Sequence, residues 1–331
     1  MSRQQEKQSL LGSAPIGKLM AKLALPSIVA QVINILYKIV DRIYIGHIEE
    51  GSSLALTGLG ICFPIITLIS AFSAFAGAGG APLAAIELGK SEYDAKAKEK
   101  ANEILGNVII MIIGFSLILS VFFYFFKEPI LLAFGASENT LPFAKDYLEI
   151  YLIGTLFVQI SIGLNPFISC QGFAKTAMTS VIIGAMANII LDPIFIFGLN
   201  LGVRGAAFAT VISQGISAIW IIRFLASKKS ALPLSVKIIR FRPKIIGKIS
   251  SLGISPFIMQ STESAIFVVF NSGLQKYGGD LYVGAMTIMQ SIMQMCFVPL
   301  SGFTDGVQPI LSYNYGAKKI DRVKDAIKKM L

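Results

Sequence analysis

Runs of about twenty or more apolar residues recur along the chain, separated by short segments where Lys, Arg, Asp, Gly and Ser gather. A run of that length is enough to cross the hydrocarbon core of a bilayer as a helix. Eight spans are predicted, at residues 19–46, 54–85, 104–126, 145–170, 176–199, 205–227, 250–275 and 281–312. A closing stretch with Ile320, Val323 and Ile327 at helical spacing is amphipathic and is predicted to lie at the surface. The fold class that follows is all-α, a polytopic helical membrane protein.

Composition agrees. Of 331 residues, 54% are hydrophobic and only 15% charged, against about 25% charged in soluble proteins. The net charge of +10 is not a nucleic-acid footprint, because of where the cations fall. Arg3, Lys7, Lys18 and Lys22 precede or open the first span, and Lys90, Lys96, Lys98 and Lys100 follow the second. Lys228, Lys229, Lys237, Arg240, Arg242, Lys244 and Lys248 follow the sixth, and Lys318 to Lys329 form a basic tail. The alternate connectors hold little more than Lys127, Arg204 and Lys276. Positive loops stay inside, so the expectation is a multi-pass cell-membrane protein with a cytoplasmic N-terminus and loops that meet anionic lipid. Met1–Ile16 is polar and lacks the pattern of a signal peptide.

Several chemistries are excluded. Cys62, Cys170 and Cys296 are isolated within apolar segments, and a single His47 cannot build a zinc site. Gly77-Ala78-Gly79-Gly80-Ala81 lacks the Lys-Ser or Lys-Thr of a phosphate loop and lies in a span, where small residues serve helix packing. With no ATP site visible, uphill transport would draw on an ion gradient. An intramembrane prenyl-transfer enzyme would need paired Asp-rich motifs, which are missing, so no enzyme is expected and no cofactor beyond a coupling ion.

The chain repeats itself. Ile16-Gly17-Lys18 and Pro26 recur as Ile246-Gly247-Lys248 and Pro256; Gly79, Pro82 and Gly89 recur as Gly306, Pro309 and Gly316. A copy of six spans starts each time on the same side, as in a parallel repeat about the membrane normal. The expected organisation is a cytoplasmic segment over 1–18, a six-helix lobe over 19–227, a basic connector over 228–249, and two spans plus the amphipathic stretch of a second lobe over 250–331. On this logic four spans of the second copy are missing.

Candidate chemistry centres on Asp192, inside the fifth span. A carboxylate near a bilayer centre costs roughly 2.5–3.5 kcal/mol and marks a functional site by default. Asn188 is one turn earlier on the same face. By helix rise, Asp192, Thr210 and Asp41 all lie roughly 7–9 Å from one membrane side, so two acids, an amide and a hydroxyl can share a layer. Two carboxylates together in low dielectric do not both ionise readily and take up a proton or a hard cation. Oxygen ligands alone suit Na⁺ or H⁺ better than a transition metal. Plainer roles stand beside these: Asp41 pairing with Lys38 or Arg42, Asp192 with Pro193 as a bending device, and Pro26 as a packing kink rather than a hinge. Glu263 is a further intramembrane acid, with either an ion or substrate role or local pairing to Gln260 and Ser264.

Val40 to Gly46, Asn188 to Phe197 with its Leu-Asp-Pro-Ile-Phe, and Gly205 to Gln214 resemble the first half of the multidrug and toxic compound extrusion (MATE) family. Gln308 to Ala317 is similar to the matching segment of its bacterial drug-efflux members. The resemblance covers essentially the whole chain. It implies two six-helix lobes around a central cavity and antiport of small-molecule cationic drugs against Na⁺ or H⁺ by alternating access, with the chain as a monomer. Carried over, the first-lobe ion site is Asp41, Asn188, Asp192 and Thr210, with a hinge at Pro26. The sequence departs at three points. Lys38 stands where a small polar residue is usual, one turn before Asp41, so it is a modulator: it either neutralises the cluster or, the favoured reading, snorkels to the outer interface. Asp305 replaces a usual Gln, and the chain ends after eight spans. A lipid-linked sugar flippase of the same superfamily, which would want a cationic cavity, and an inactive truncated fragment are the alternatives.

Overall fold

The computed structural model describes residues 10–48, 52–235 and 238–330. Arg3, Lys7 and Lys237 of the charge pattern lie outside them. The elements are α1 (Ile16–Ile45), α2 (Ser52–Lys90), α3 (Ala97–Ala133), α4 (Leu141–Ile153), α5 (Thr155–Ser169), α6 (Ala174–Pro193) running into a π turn (Ile194–Gly198), α7 (Gly202–Leu225), α8 (Pro243–Gly316) and α9 (Ile320–Met330). All are helical, as the apolar runs require: backbone groups in hydrocarbon must be satisfied internally.

Two departures from the predicted spans have local causes. The fourth span is not one helix: α4 and α5 meet at a 61° bend. The bend falls at Gly154, where a Cβ would overlap the side chain of Val211 on α7. The 74 residues of α8 would form a rod of roughly 110 Å, far beyond a bilayer. Gly279, with φ 69° and ψ −168°, breaks it in a conformation that L side chains avoid, giving the seventh and eighth spans. Its helix also starts at Pro243, inside the stretch expected to be connector.

The repeat shows as reciprocal packing. Gly89 on α2 meets the backbone of Tyr313 and Ala317, while its counterpart Gly316 meets the backbone of Ile86, the counterpart of Tyr313. Gly79 rests on Ile249 and Gly253, and its counterpart Gly306 rests on Leu23 and Ala24. Contacts that exchange in this way are the mark of a two-fold relation. Gly302 and Gly306, four apart, sit on Ile28 and Ala24, so α1 is held close to the second half of α8 on both sides of Pro26. α1 continues through Pro26 as a helix.

The N-terminal face is tied by polar groups. Arg322 of α9 donates to Asn314 Oδ1 at 2.9 Å and to Ala14 O at 2.7 Å, Asn314 donates to Leu11 O at 3.0 Å, and Lys319 bridges Glu92 at 2.8 Å. Leu11, Leu88, Phe167, Ile310 and Tyr313 pack in one core beneath it. A second core, with Ile45, Ile61, Ile65, Leu148, Tyr151 and Val203, fills the opposite half. On α3, Leu117, Ile118, Val121, Phe122 and Phe125 remain exposed, an apolar face suited to acyl chains.

Candidate ion-coupling site

α6 supplies the first half of the site. Asn188 and Asp192 are fully buried and one turn apart, and Asn188 Nδ2 donates to Asp192 Oδ1 at 3.1 Å. Pro193 follows at once, and the helix loosens into its π turn, a distortion frequent at functional sites. Bending and site-building are thus the same feature. α1 supplies Asp41, also buried, within electrostatic reach of Asp192. The two helices are held in register near their far ends, where Tyr44 and Phe197 meet edge to face at 6.2 Å between ring centroids.

Thr210 on α7 joins through an aromatic intermediary. It lies beside Tyr147 of α4, and Tyr147 lies within electrostatic reach of Asp41. Tyr37, one turn before Asp41, accepts at its hydroxyl from Gln214 Nε2 at 3.3 Å, and Ser161 Oγ donates to Gln214 Oε1. Tyr37 senses both Asp41 and Asp192. Tyr147 and Tyr151 stack at 6.1 Å. Asp41, Asn188 and Asp192 thus lie within reach of one another and Thr210 is linked to them through Tyr147, within a shell not expected from sequence: Tyr37, Tyr147, Gln214 and Ser161. The available signal was spacing, since Tyr37 precedes Asp41 by four and Gln214 follows Thr210 by four.

Three oxygens decide what the cluster can do. Asp41 Oδ1, Asn188 Oδ1 and Asp192 Oδ2 are buried without a hydrogen-bond partner. An orphaned buried acceptor is costly, and three in one place form a set of hard donors for a cation or proton. Among the described residues no group of three His, Cys, Asp or Glu converges; the donors here are two carboxylates with neutral amide and hydroxyl groups.

The MatE family model matches residues 26–194 and 256–331. The chain belongs to the MATE family. Multidrug export protein MepA of Staphylococcus haemolyticus (strain JCSC1435) is 29% identical over 313 residues, which are 95% of this chain and 67% of the relative. MepA of Staphylococcus aureus (strain NCTC 8325 / PS 47) is 26% identical over 318 residues, 96% of this chain and 68% of the relative. Among solved structures, a ligand complex of the MATE multidrug transporter DinF-BH superposes with a TM-score of 0.89 at 32% identity, covering 96% of this chain and 70% of that one. This MATE chain thus spans about two thirds of the length of these relatives. It is a multi-pass membrane protein of a transporter family, not an enzyme.

The other predicted residues fall elsewhere. Lys38 does not enter the cluster: it is exposed, and the charges it senses are Arg42 and Glu263, not Asp41. Arg42 stays within electrostatic reach of Asp41 while it donates Nη1 to Thr287 O of α8 at 3.1 Å, with its guanidinium 4.7 Å from the Phe63 ring centre. Glu263 lies beside Gln294, and the Ser264 hydroxyl donates instead to Pro64 O at 2.8 Å. Asp305 accepts from Gln31 Nε2 at 2.9 Å. Pro26 lies buried in the glycine-lined contact with α8.

Proposed function

We propose that this MATE protein exports organic cations in exchange for Na⁺ or H⁺ by alternating access, with Asp41, Asn188, Asp192 and Thr210 as the ion-coupling cluster. The observation that carries the reading is the trio of buried, partnerless oxygens on Asp41, Asn188 and Asp192. A desolvated pair of carboxylates binds a proton or Na⁺ because one positive charge relieves both their repulsion and their unmet hydrogen bonding. The names of the MepA relatives and the ligand held by the multidrug transporter DinF-BH support drug-like substrates. In this reading Pro26 is the hinge of the first lobe (19–227), the connector is 228–249 with cytoplasmic termini, and 250–331 contributes to the second lobe.

The test is accumulation of a cationic dye in cells that express the chain. Asp192→Asn is expected to abolish gradient-driven efflux while leaving the amount of protein in the membrane unchanged. Efflux that persists undiminished in that variant would remove the assignment.

A further inference from the structure

Arg42 and Phe267 mark a level in the cleft between α1 and α8. The Arg42 guanidinium lies over Phe63, and Phe63 meets Phe267 edge to face at 5.4 Å. α1 and the first half of α8 both run away from the N-terminal face. One turn back on α1 is Lys38; one turn back on α8 is Glu263. Both then lie roughly 6 Å nearer that face, and each senses the other's charge. Glu263 lies beside Gln294, two turns past Thr287, the residue that anchors Arg42. Between these, Gln290 is buried with both amide atoms unpartnered, so the surroundings of the pair hold unused donors and acceptors.

We propose that Lys38 is the built-in cation of Glu263, compensating the acid of the second lobe from within the chain and so setting which cations the cleft accepts. Asp41 is three residues from Lys38 but faces α6, and it keeps its own unpartnered oxygen. The two acids thus have different fates: Asp41 is open to an exchangeable ion, whereas an incoming organic monocation must displace an ammonium to reach Glu263. Removing the ammonium leaves a half-buried carboxylate in low dielectric that recruits a cation from solution. This specificity role rests on the export reading, but it concerns a different acid from the coupling cluster.

The experiment is binding of a lipophilic monocationic dye to the purified protein in lipid nanodiscs, followed by fluorescence polarisation. Lys38→Gln is expected to tighten binding several-fold. Adding Glu263→Gln should return it to the wild-type value, and adding Asp41→Asn instead should leave the gain in place. No tightening in Lys38→Gln, or a gain that Asp41→Asn removes and Glu263→Gln does not, would overturn the proposal. If Lys38→Gln fails to fold, the charge exchange of Lys38→Glu with Glu263→Lys decides. Wild-type dye binding in the exchanged protein supports the pair, and binding no better than in Lys38→Glu alone refutes it. Asp192→Asn, run alongside, reports on the coupling cluster separately.

Discussion

Asn188 holds one oxygen of Asp192 and leaves the other buried and unpartnered for a cation that enters. Its amide donates at 3.1 Å to Oδ1, while Oδ2 and the Asn188 carbonyl oxygen have no partner. One residue therefore orients the acid and contributes a ligand. Asn188→Ala removes both roles and leaves Asp192 Oδ1 buried without a donor, at a cost of roughly 1–3 kcal/mol. Na⁺ uptake measured by isothermal calorimetry should weaken by about tenfold or more for a loss above 1.4 kcal/mol. Asn188→Asp, which adds a third carboxylate to the layer, should raise proton uptake instead. Equal ion binding in Asn188→Ala would show that the amide is only a packing group. The acids and Thr210 were legible from sequence because a carboxylate in an apolar run has no cheap explanation. Tyr37, Tyr147 and Gln214 were not, since Tyr and Gln are common in spans and only their shared layer gives them meaning. That Lys38 senses Glu263 was illegible for a related reason: Asp41 is its neighbour along the helix, whereas Glu263 is brought near only by the packing of α8.

Glycines set how closely the helices approach. Gly302 and Gly306 of α8 lie against Ile28 and Ala24 of α1, and Gly89 and Gly316 lie against each other's helices. A Cβ at these places meets backbone, which cannot swing aside as a side-chain end can. Overpacking of this kind costs about 1–3 kcal/mol. Gly89→Ala and Gly316→Ala, being related by the repeat, should lower the thermal unfolding midpoint by similar amounts. Gly17→Ala, where a Cβ would meet nothing, should leave it unchanged. A large loss in one member of the pair only would argue against the two-fold packing. Span positions were readable because apolar runs are long and uninterrupted. The bend at Gly154 was not readable, because a glycine within an apolar run carries no sign of the neighbour that requires it. That neighbour, Val211, arrives from α7.

Over the whole molecule, the repeat joins two unlike acid sites through one helix. α1 carries Asp41 toward α6 and Lys38 toward α8, so ion occupancy on one side and charge balance in the cleft act on a single element that α8 grips on both sides of Pro26. Coupling between sites is a free energy and is reciprocal: an organic cation that weakens ion binding is weakened by the ion to the same extent. The central claim is that the Asp41–Asp192 cluster exchanges its ion when an organic cation binds. Dye binding to the purified protein in weakly buffered solution, with released protons counted by a pH indicator and the titration repeated across Na⁺ concentrations, measures that exchange. Wild-type protein should release protons on binding dye or lose dye affinity as Na⁺ rises, and Asp192→Asn should show neither effect. Dye binding that releases no proton and ignores Na⁺ in the wild-type protein would contradict it.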